Sequence, residues 1–162
     1  MKLTTRPVPQ HVTQWYEKKP FGSRLYFAYL AYGGWHPGID FGCPVATPVR
    51  HVVNKGRVIF VGKYGGYGLT VKVRCEWDAT HAHEIGVQYS HLTRVSSAIK
   101  VGQLVTENQV IGYSGGAKGD PNAGFSTGPH LHFGLWDTSL KGLGKEHYVD
   151  PRPYFKEGNI SL

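Results

Sequence analysis

Two short segments that lie far apart in the chain carry side chains that could bind a metal ion. In the first, His36 and Asp40 are separated by a Pro-Gly pair, which disfavours a helix and favours a turn feeding a strand. In the second, His130 and His132 stand two apart in an alternating apolar run, so a strand would project both imidazoles from one face. Taken alone, each pair is more typical of surface or turn residues than of a metal site.

Taken together, the two segments supply two imidazoles and one carboxylate, which is a donor set for a catalytic metal. Catalytic zinc sites use three protein ligands and leave a fourth position to water, whereas structural zinc sites are closed by four ligands and are often rich in cysteine. The chain has only two cysteines, Cys43 and Cys75, so a thiolate-rich structural site is excluded. Water at a catalytic zinc ion has a pKa of about 7, which provides a nucleophile at neutral pH.

The elements that must position these side chains are strands. Apolar and polar residues alternate strictly over residues 69–77, which predicts a half-buried strand of an antiparallel sheet. Thr70, Lys72 and Arg74 would lie on its solvent-exposed face. In residues 130–136 the apolar positions would enter a core, and both histidines would take the opposite face. Further strands are predicted at 56–61, 86–91 and 109–113, with a turn at 64–68 and a short helix at 93–99.

Composition limits the class of protein. Glycine and proline are frequent (22 and 10 residues) and aromatic residues reach 13%, which favours an all-β domain with many turns. The net charge of +7 is dispersed and favours anionic partners, among which charge alone does not choose. We expect an N-terminal arm over residues 1–20, a single domain over 21–162, a monomeric protein and no transmembrane helix.

The residues around the two segments follow an ordered series of motifs. These are 21–24 (Phe-Gly-Ser-Arg), 40–49, 65–68, 89–92 (Tyr-Ser-His-Leu), 102–115, 126–133 (Ser-Thr-Gly-Pro-His-Leu-His-Phe) and 148–151. In this order they resemble the M23 metallopeptidases, the lysostaphin-like peptidoglycan endopeptidases, over roughly residues 20–155. The resemblance implies a mainly antiparallel β-fold with a groove that carries one zinc ion, and a substrate that is the peptide part of peptidoglycan.

The resemblance also implies roles for individual residues. His36, Asp40 and His132 match the zinc ligands, and His91 and His130 match two catalytic histidines, of which either could be the general base. A tyrosine upstream of the first ligand would assist, with Tyr26, Tyr29 and Tyr32 as candidates. Anionic polymers of the cell wall would attract the basic chain.

The chain departs from the family pattern in two longer connections. Residues 118–125 lengthen the loop before the second histidine pair and are expected to border the groove. Residues 77–84 lengthen a connection between strands and contain a second His-x-His, His81 and His83, which we interpret as part of a solvated loop.

Three other functions fit parts of the sequence. A non-catalytic M23-like domain that regulates other wall hydrolases would have lost ligands, whereas all five site positions are filled here. A basic β-rich nucleic-acid binder lacks any recognised motif. A cysteine peptidase using Cys43 would need a helix that Pro44 and Pro48 preclude. The first residues show no signal peptide, which fits a phage lysin released at lysis or a trimmed fragment.

Overall fold

The computed structural model describes residue 3 and residues 5–17, 36–75, 85–137 and 147–155. These residues form eleven β-strands and two single-turn 3₁₀ helices, at Gly65–Tyr67 and Arg152–Tyr154. The strands are β1 (Val12–Gln14), β2 (Ile39–Gly42), β3 (Pro48–Arg50), β4 (Lys55–Lys63), β5 (Leu69–Cys75), β6 (Ile85–Ser90), β7 (Leu92–Val95), β8 (Leu104–Thr106), β9 (Val110–Ser114), β10 (His130–Asp137) and β11 (Tyr148–Val149). The expected all-β fold is therefore confirmed, and no described helix is long and apolar enough to cross a membrane.

Two antiparallel sheets build the domain. The larger has the strand order β1-β2-β10-β6-β5-β4-β8, and β11 pairs with β10 outside this path. The smaller has the order β3-β9-β7. Buried side chains from both sheets form one hydrophobic cluster, so the core lies on one face of the larger sheet and leaves the other face for the site.

The alternation of β10 decides which side chains reach that other face. Leu131, Phe133 and Leu135 are completely buried in the hydrophobic cluster, as the sequence predicts. Burial of such side chains contributes roughly 1.5–3 kcal/mol each. His130 and His132 consequently lie on the opposite face, where β10 is flanked by β2 and β6.

Strand β5 confirms the predicted alternation but corrects the prediction of a wet face. Thr70 is completely buried, and its hydroxyl is hydrogen-bonded to the Gly68 carbonyl oxygen and the Ser90 hydroxyl, both at 3.1 Å. Lys72 is half-buried, with Nζ 3.7 Å from the centre of the Tyr64 ring. Arg74 is exposed, as predicted, so the correction applies to Thr70 and Lys72, where turn residues cover this face of the sheet.

The predicted helix over residues 93–99 is wrong. Leu92–Val95 form strand β7, which pairs with β9 through Arg94 and Tyr113. The chain then turns, with the Ile99 N–H donating to the Ser96 carbonyl at 2.9 Å. Two β-branched residues and the pairing partner in β9 outweigh the weak helical pattern.

The N-terminal segment contributes to the larger sheet. Strand β1 pairs with β2 at its edge, and Leu3 and Val8 are buried in the hydrophobic cluster. Residues 18–35, over which the expected arm would join the domain, lie outside the described residues.

His51 and Tyr89 form a buried polar pair within the core. The Nδ1 atom of His51 lies 2.9 Å from the Tyr89 hydroxyl, which also accepts the Val52 N–H at 3.2 Å. The Nε2 atom of His51 is buried without a hydrogen-bond partner. Burial therefore disfavours the charged imidazole and lowers the pKa of His51 to about 4.

This pair predicts a loss of stability in mild acid. Because the unfolded chain binds a proton at this residue near pH 6.5 and the folded chain only near pH 4, the contribution of His51 is complete above pH 6.5. It should be lost progressively, by up to about 3 kcal/mol, as the pH falls to about 4. We expect the free energy of unfolding, measured with urea, to fall less steeply over this range in His51→Asn than in the wild-type protein.

The control is His11→Asn, which removes an exposed imidazole. It should retain the wild-type pH dependence. Parallel pH profiles for the wild-type protein and His51→Asn would contradict the assignment of this acid sensitivity to His51.

Candidate metal centre and cleft

Three donor atoms meet on the face of the larger sheet that lies opposite the hydrophobic core. Asp40 in β2 pairs directly with His132 in β10, and His36 precedes β2 by one turn. The Asp40 Oδ1 atom lies 2.9 Å from His132 Nδ1 and 3.1 Å from His36 Nε2, and these two nitrogens are 3.2 Å apart. All three residues are buried, so the sheet brings together the side chains that the sequence analysis assigned to a metal.

This triangle fits a zinc ion. Donor atoms at the corners of a tetrahedron around zinc, with bonds of roughly 2.0–2.1 Å, lie about 3.3 Å apart. The three separations here are 2.9, 3.1 and 3.2 Å, and two imidazole nitrogens with one carboxylate oxygen are a catalytic donor set. His36, Asp40 and His132 could therefore hold zinc with a small adjustment of their side chains.

A neighbouring backbone atom fixes the orientation of His36. Its Nδ1–H donates to the Trp15 carbonyl at 2.8 Å, which leaves Nε2 as the nitrogen with a free lone pair. Glu17 and His36 also form an antiparallel bridge just after β1. The segment beyond β1 thus sets the tautomer of this ligand, as outer partners of metal-binding histidines do.

The electrostatics of the triangle favour an ionised carboxylate. Burial opposes the charge on Asp40, but the neighbouring His36 and His132 imidazoles hold the pKa of Asp40 well below its usual value. Burial likewise opposes a charge on His36, but the attraction of Asp40 raises the pKa of His36. For His132, burial is the larger effect and lowers its pKa. The pocket therefore concentrates one negative charge among imidazoles.

His91 and His130 stand beside the triangle, with their ring centres 4.6 Å apart. His130 is the first residue of β10, and its Nε2 atom lies 3.7 Å from Asp40 Oδ2. His91 follows the last residue of β6 and has a φ of 57°, in the left-handed region that residues with a Cβ atom rarely adopt. The structure thus brings all five sequence-predicted site residues to one place.

Backbone carbonyls orient both of these rings. Nδ1–H of His91 donates to the Ala123 carbonyl at 2.6 Å, and Nδ1–H of His130 donates to the Gly128 carbonyl at 2.8 Å. Each ring therefore keeps Nε2 as its free nitrogen. Burial, together with repulsion from His130 and His132, lowers the pKa of His91 to about 3, so the ring is neutral at neutral pH.

A cleft of about 320 Å³ opens next to these histidines. His91, His130 and Asp40 lie on its floor, and Thr13 and Gln14 of β1 form part of its lining. The rest of the lining comes from Gly42 of β2 and from the loop before β10, at Phe125, Thr127, Gly128 and Pro129. The longer loop over residues 118–125 therefore borders the cleft, as expected.

Sequence reasoning missed several of these contributions. Thr13 and Gln14 belong to no motif that would mark them as lining a cleft. The carbonyls of Trp15, Ala123 and Gly128 could not be singled out, because every residue has a backbone carbonyl. Conversely, Tyr26, Tyr29 and Tyr32, together with His81 and His83, lie outside the described residues.

The two cysteines take no part in the cleft. Cys43 and Cys75 are both buried free thiols. Burial raises the pKa of each thiol, for Cys75 to about 12. A buried thiol that resists ionisation is a poor nucleophile, which argues against the cysteine-peptidase alternative at Cys43.

Comparison with known families and sequences gives consistent matches. The model of peptidase family M23 matches residues 34–151. Lysostaphin of Staphylococcus simulans is 32% identical over 151 residues, which are 91% of this chain and 27% of lysostaphin. The glycyl-glycine endopeptidase ALE-1 of Staphylococcus capitis is 36% identical over 126 residues, which are 76% of this chain and 30% of ALE-1. The chain thus spans less than a third of these relatives.

Solved structures show the same fold. The catalytic domain of the antimicrobial peptidase lysostaphin from Staphylococcus simulans superposes with a TM-score of 0.67 and 27% identity, covering 90% of this chain and 91% of that domain. The catalytic domain of the prophage-encoded M23 protein EnpA from Enterococcus faecalis superposes with a TM-score of 0.62 and 25% identity, covering 93% and 92%.

Gly38 provides a test of the triangle. A Cβ atom at this position would lie 2.7 Å from ring atoms of His132 and 2.6 Å from the Phe133 carbonyl oxygen, so the His132 ring would have to move. We expect Gly38→Ala to weaken zinc binding about ten- to a hundred-fold, measured by competition with a chromogenic chelator.

The matched control is Gly102→Ala, where an added Cβ would meet no atom within 4 Å. Its zinc affinity should equal that of the wild-type protein. Unchanged zinc affinity in Gly38→Ala would show that His132 is not held in place as a ligand.

Proposed function

The chain belongs to peptidase family M23, and on that premise we propose that it is a zinc-dependent endopeptidase that hydrolyses peptide bonds in the stem or cross-bridge peptides of bacterial peptidoglycan. The observation that carries this proposal is the cleft floor, where a metal-binding triangle lies beside two oriented imidazoles. Its donor separations of 2.9–3.2 Å suit zinc, and the neighbouring cleft is open to a peptide.

In this mechanism, His36, Asp40 and His132 would hold the metal, with His36 Nε2, Asp40 Oδ1 and His132 Nδ1 as the donor atoms that lie together. A zinc ion in such a site supplies Lewis acidity towards the scissile carbonyl and the attacking water. The chain's part is to supply one carboxylate and two neutral imidazoles at fixed positions. The Trp15 carbonyl orients His36, and the strand register orients the other two ligands.

His91 and His130 handle the protons. In both rings Nδ1–H is engaged by a backbone carbonyl, so proton transfer to and from the reacting groups takes place at Nε2. Positioned acid–base groups of this kind contribute about 10²–10⁴-fold to the rate. The two rings are in contact, and a positive charge developing on either is stabilised by Asp40, whose Oδ2 atom lies 3.7 Å from His130 Nε2.

Two relatives support the choice of substrate. Lysostaphin is described as an antimicrobial peptidase and ALE-1 as a glycyl-glycine endopeptidase, and these descriptions support peptide bridges of the wall as candidate substrates. The net charge of +7 supports a second contact, with anionic polymers of the same wall. Similarity to a prophage-encoded M23 catalytic domain supports a role as a phage lysin.

Chelation is the first test of the function. We expect purified peptidoglycan to release fragments with new peptide termini when it is incubated with the protein. Release should stop with a zinc chelator and return when zinc is restored, because zinc supplies the Lewis acid that polarises the scissile carbonyl. Mass spectrometry of the fragments reports both the activity and the bond that is cut.

Two other outcomes of this digestion would overturn the proposal. Fragment release that ignores the chelator would remove the metal from the mechanism. No release from several wall types, by a protein with confirmed zinc, would indicate a binding domain that regulates other wall hydrolases.

A second test separates proton transfer from metal binding. We expect His91→Asn and His130→Asn each to lower kcat by about 10²–10⁴-fold while zinc content, measured by atomic emission, stays at the wild-type level. The control is His11→Asn, whose exposed ring lies outside the cleft and should not affect kcat. Near-normal kcat in both cleft variants would mean that neither ring transfers the proton.

A further inference from the structure

The loop between β9 and β10 lines the cleft and also forms hydrogen bonds to the rings of His91 and His130. Its Ala123 carbonyl accepts the Nδ1–H of His91 in the shortest hydrogen bond described at the site, 2.6 Å. The backbone N–H of His91 donates to the Tyr67 carbonyl at 2.9 Å. His91 has a left-handed backbone conformation and is hydrogen-bonded through both its backbone and its ring, so it has little conformational freedom. The position of the Ala123 carbonyl therefore determines the orientation of the His91 ring.

Asn122 fastens this part of the loop to two strands. Its carbonyl accepts the Leu69 N–H of β5 at 2.8 Å, and its side-chain Nδ2 donates to the Thr93 carbonyl of β7 at 2.8 Å. Its own N–H donates to Asp120 Oδ1 at 2.8 Å. Asn122, which immediately precedes Ala123, is therefore held by hydrogen bonds to both strands.

Two glycines let the loop approach the turn before β5 closely. A Cβ atom on Gly68 would lie 2.1 Å from the Asn122 carbonyl oxygen, and one on Gly124 would lie 2.3 Å from the Gly66 carbonyl oxygen. Both glycines have positive φ values, 62° and 65°. The two backbones are thus packed against each other on either side of Ala123, which fixes its carbonyl rather than leaving it on a free loop.

The consequence concerns the proton on His91. A neutral imidazole in water prefers the proton on Nε2, and the hydrogen bond made by one ring nitrogen determines which nitrogen is protonated in a protein. A fixed carbonyl at Nδ1 reverses this preference and frees the Nε2 lone pair for the cleft.

We propose that Asn122 is a positioning residue, which through the Ala123 carbonyl holds His91 in the tautomer that carries its proton on Nδ1. The kinetic consequence rests on the proposed peptidase function, whereas the tautomer is a property of the folded chain. Asn122 touches no reacting atom; it acts only by placing the carbonyl.

The tautomer can be observed directly by NMR. Long-range ¹H–¹⁵N spectra of the zinc-loaded, ¹⁵N-labelled protein distinguish Nδ1–H from Nε2–H rings, and His91→Asn assigns the His91 signals. We expect the Nδ1–H form in the wild-type protein and a shift towards Nε2–H in Asn122→Asp, which replaces the donor to Thr93 with an acceptor. Asn54→Asp makes the same chemical change at an exposed position and should retain the wild-type tautomer.

Kinetics on peptidoglycan fragments give a second readout. We expect kcat of Asn122→Asp to fall about ten- to a hundred-fold with KM nearly unchanged, because substrate contacts are intact. Gly68→Ala should act in the same way by displacing the Asn122 carbonyl. Gly102→Ala has the same positive-φ strain without any collision and serves as its control.

Thermal unfolding of each variant shows whether it is folded under assay conditions, and the Gly68 variant provides the test if Asn122→Asp is not. An Nε2–H ring at His91 in the wild-type protein, or a wild-type tautomer and kcat in the folded variants, would overturn the proposal. Tautomer shifts as expected in a protein that cuts no peptidoglycan would leave the positioning role intact and refute the proposed function instead.

Discussion

The site depends on the register between β2 and β10, which sets Asp40 directly opposite His132. A slip of one residue would turn His132 into the core and carry Leu131 or Phe133 to the cleft. The buried apolar side chains of β10 resist such a slip, since each would lose roughly 1.5–3 kcal/mol of burial. The placement of Asp40 opposite His132 is thus enforced from the core face of the sheet, by side chains that take no part in the donor triangle.

This arrangement has an electrostatic cost that metal binding can relieve. A carboxylate and two imidazoles are held within 3.2 Å of one another in a buried pocket, where burial opposes a charge on each of them. A zinc ion held by these three donors would compensate the carboxylate charge directly. Because the unfolded chain does not assemble the donors, metal affinity adds to the stability of the fold. The core and a bound metal would therefore stabilise the same register from opposite faces.

The sequence predicted the parts of the molecule that side-chain pattern controls. Alternation over residues 130–136 placed both histidines of β10 on the correct face. Family motifs selected all five residues that the structure brings together at the donor triangle and beside it. The helix predicted from the pattern over residues 93–99 was wrong, because the first of these residues form a strand that depends on its pairing with β9. The pattern also failed at Thr70, which is buried because a turn folds over it. Both failures concern contacts made by distant parts of the chain, which local propensity does not contain.

Backbone carbonyls determine which nitrogen three of the four neighbouring imidazoles present to the site. Three of the rings donate Nδ1–H to a carbonyl and so present Nε2 to the site: His36 to Trp15, His91 to Ala123 and His130 to Gly128. The fourth, His132, has no such carbonyl and presents Nδ1 to Asp40 instead. Register alone brings the rings together, but it does not decide which nitrogen each one offers. For three of the rings, that choice is made by backbone carbonyls in segments outside the central strands, so variation in those segments can change which nitrogen a ring offers while all four histidines stay in place.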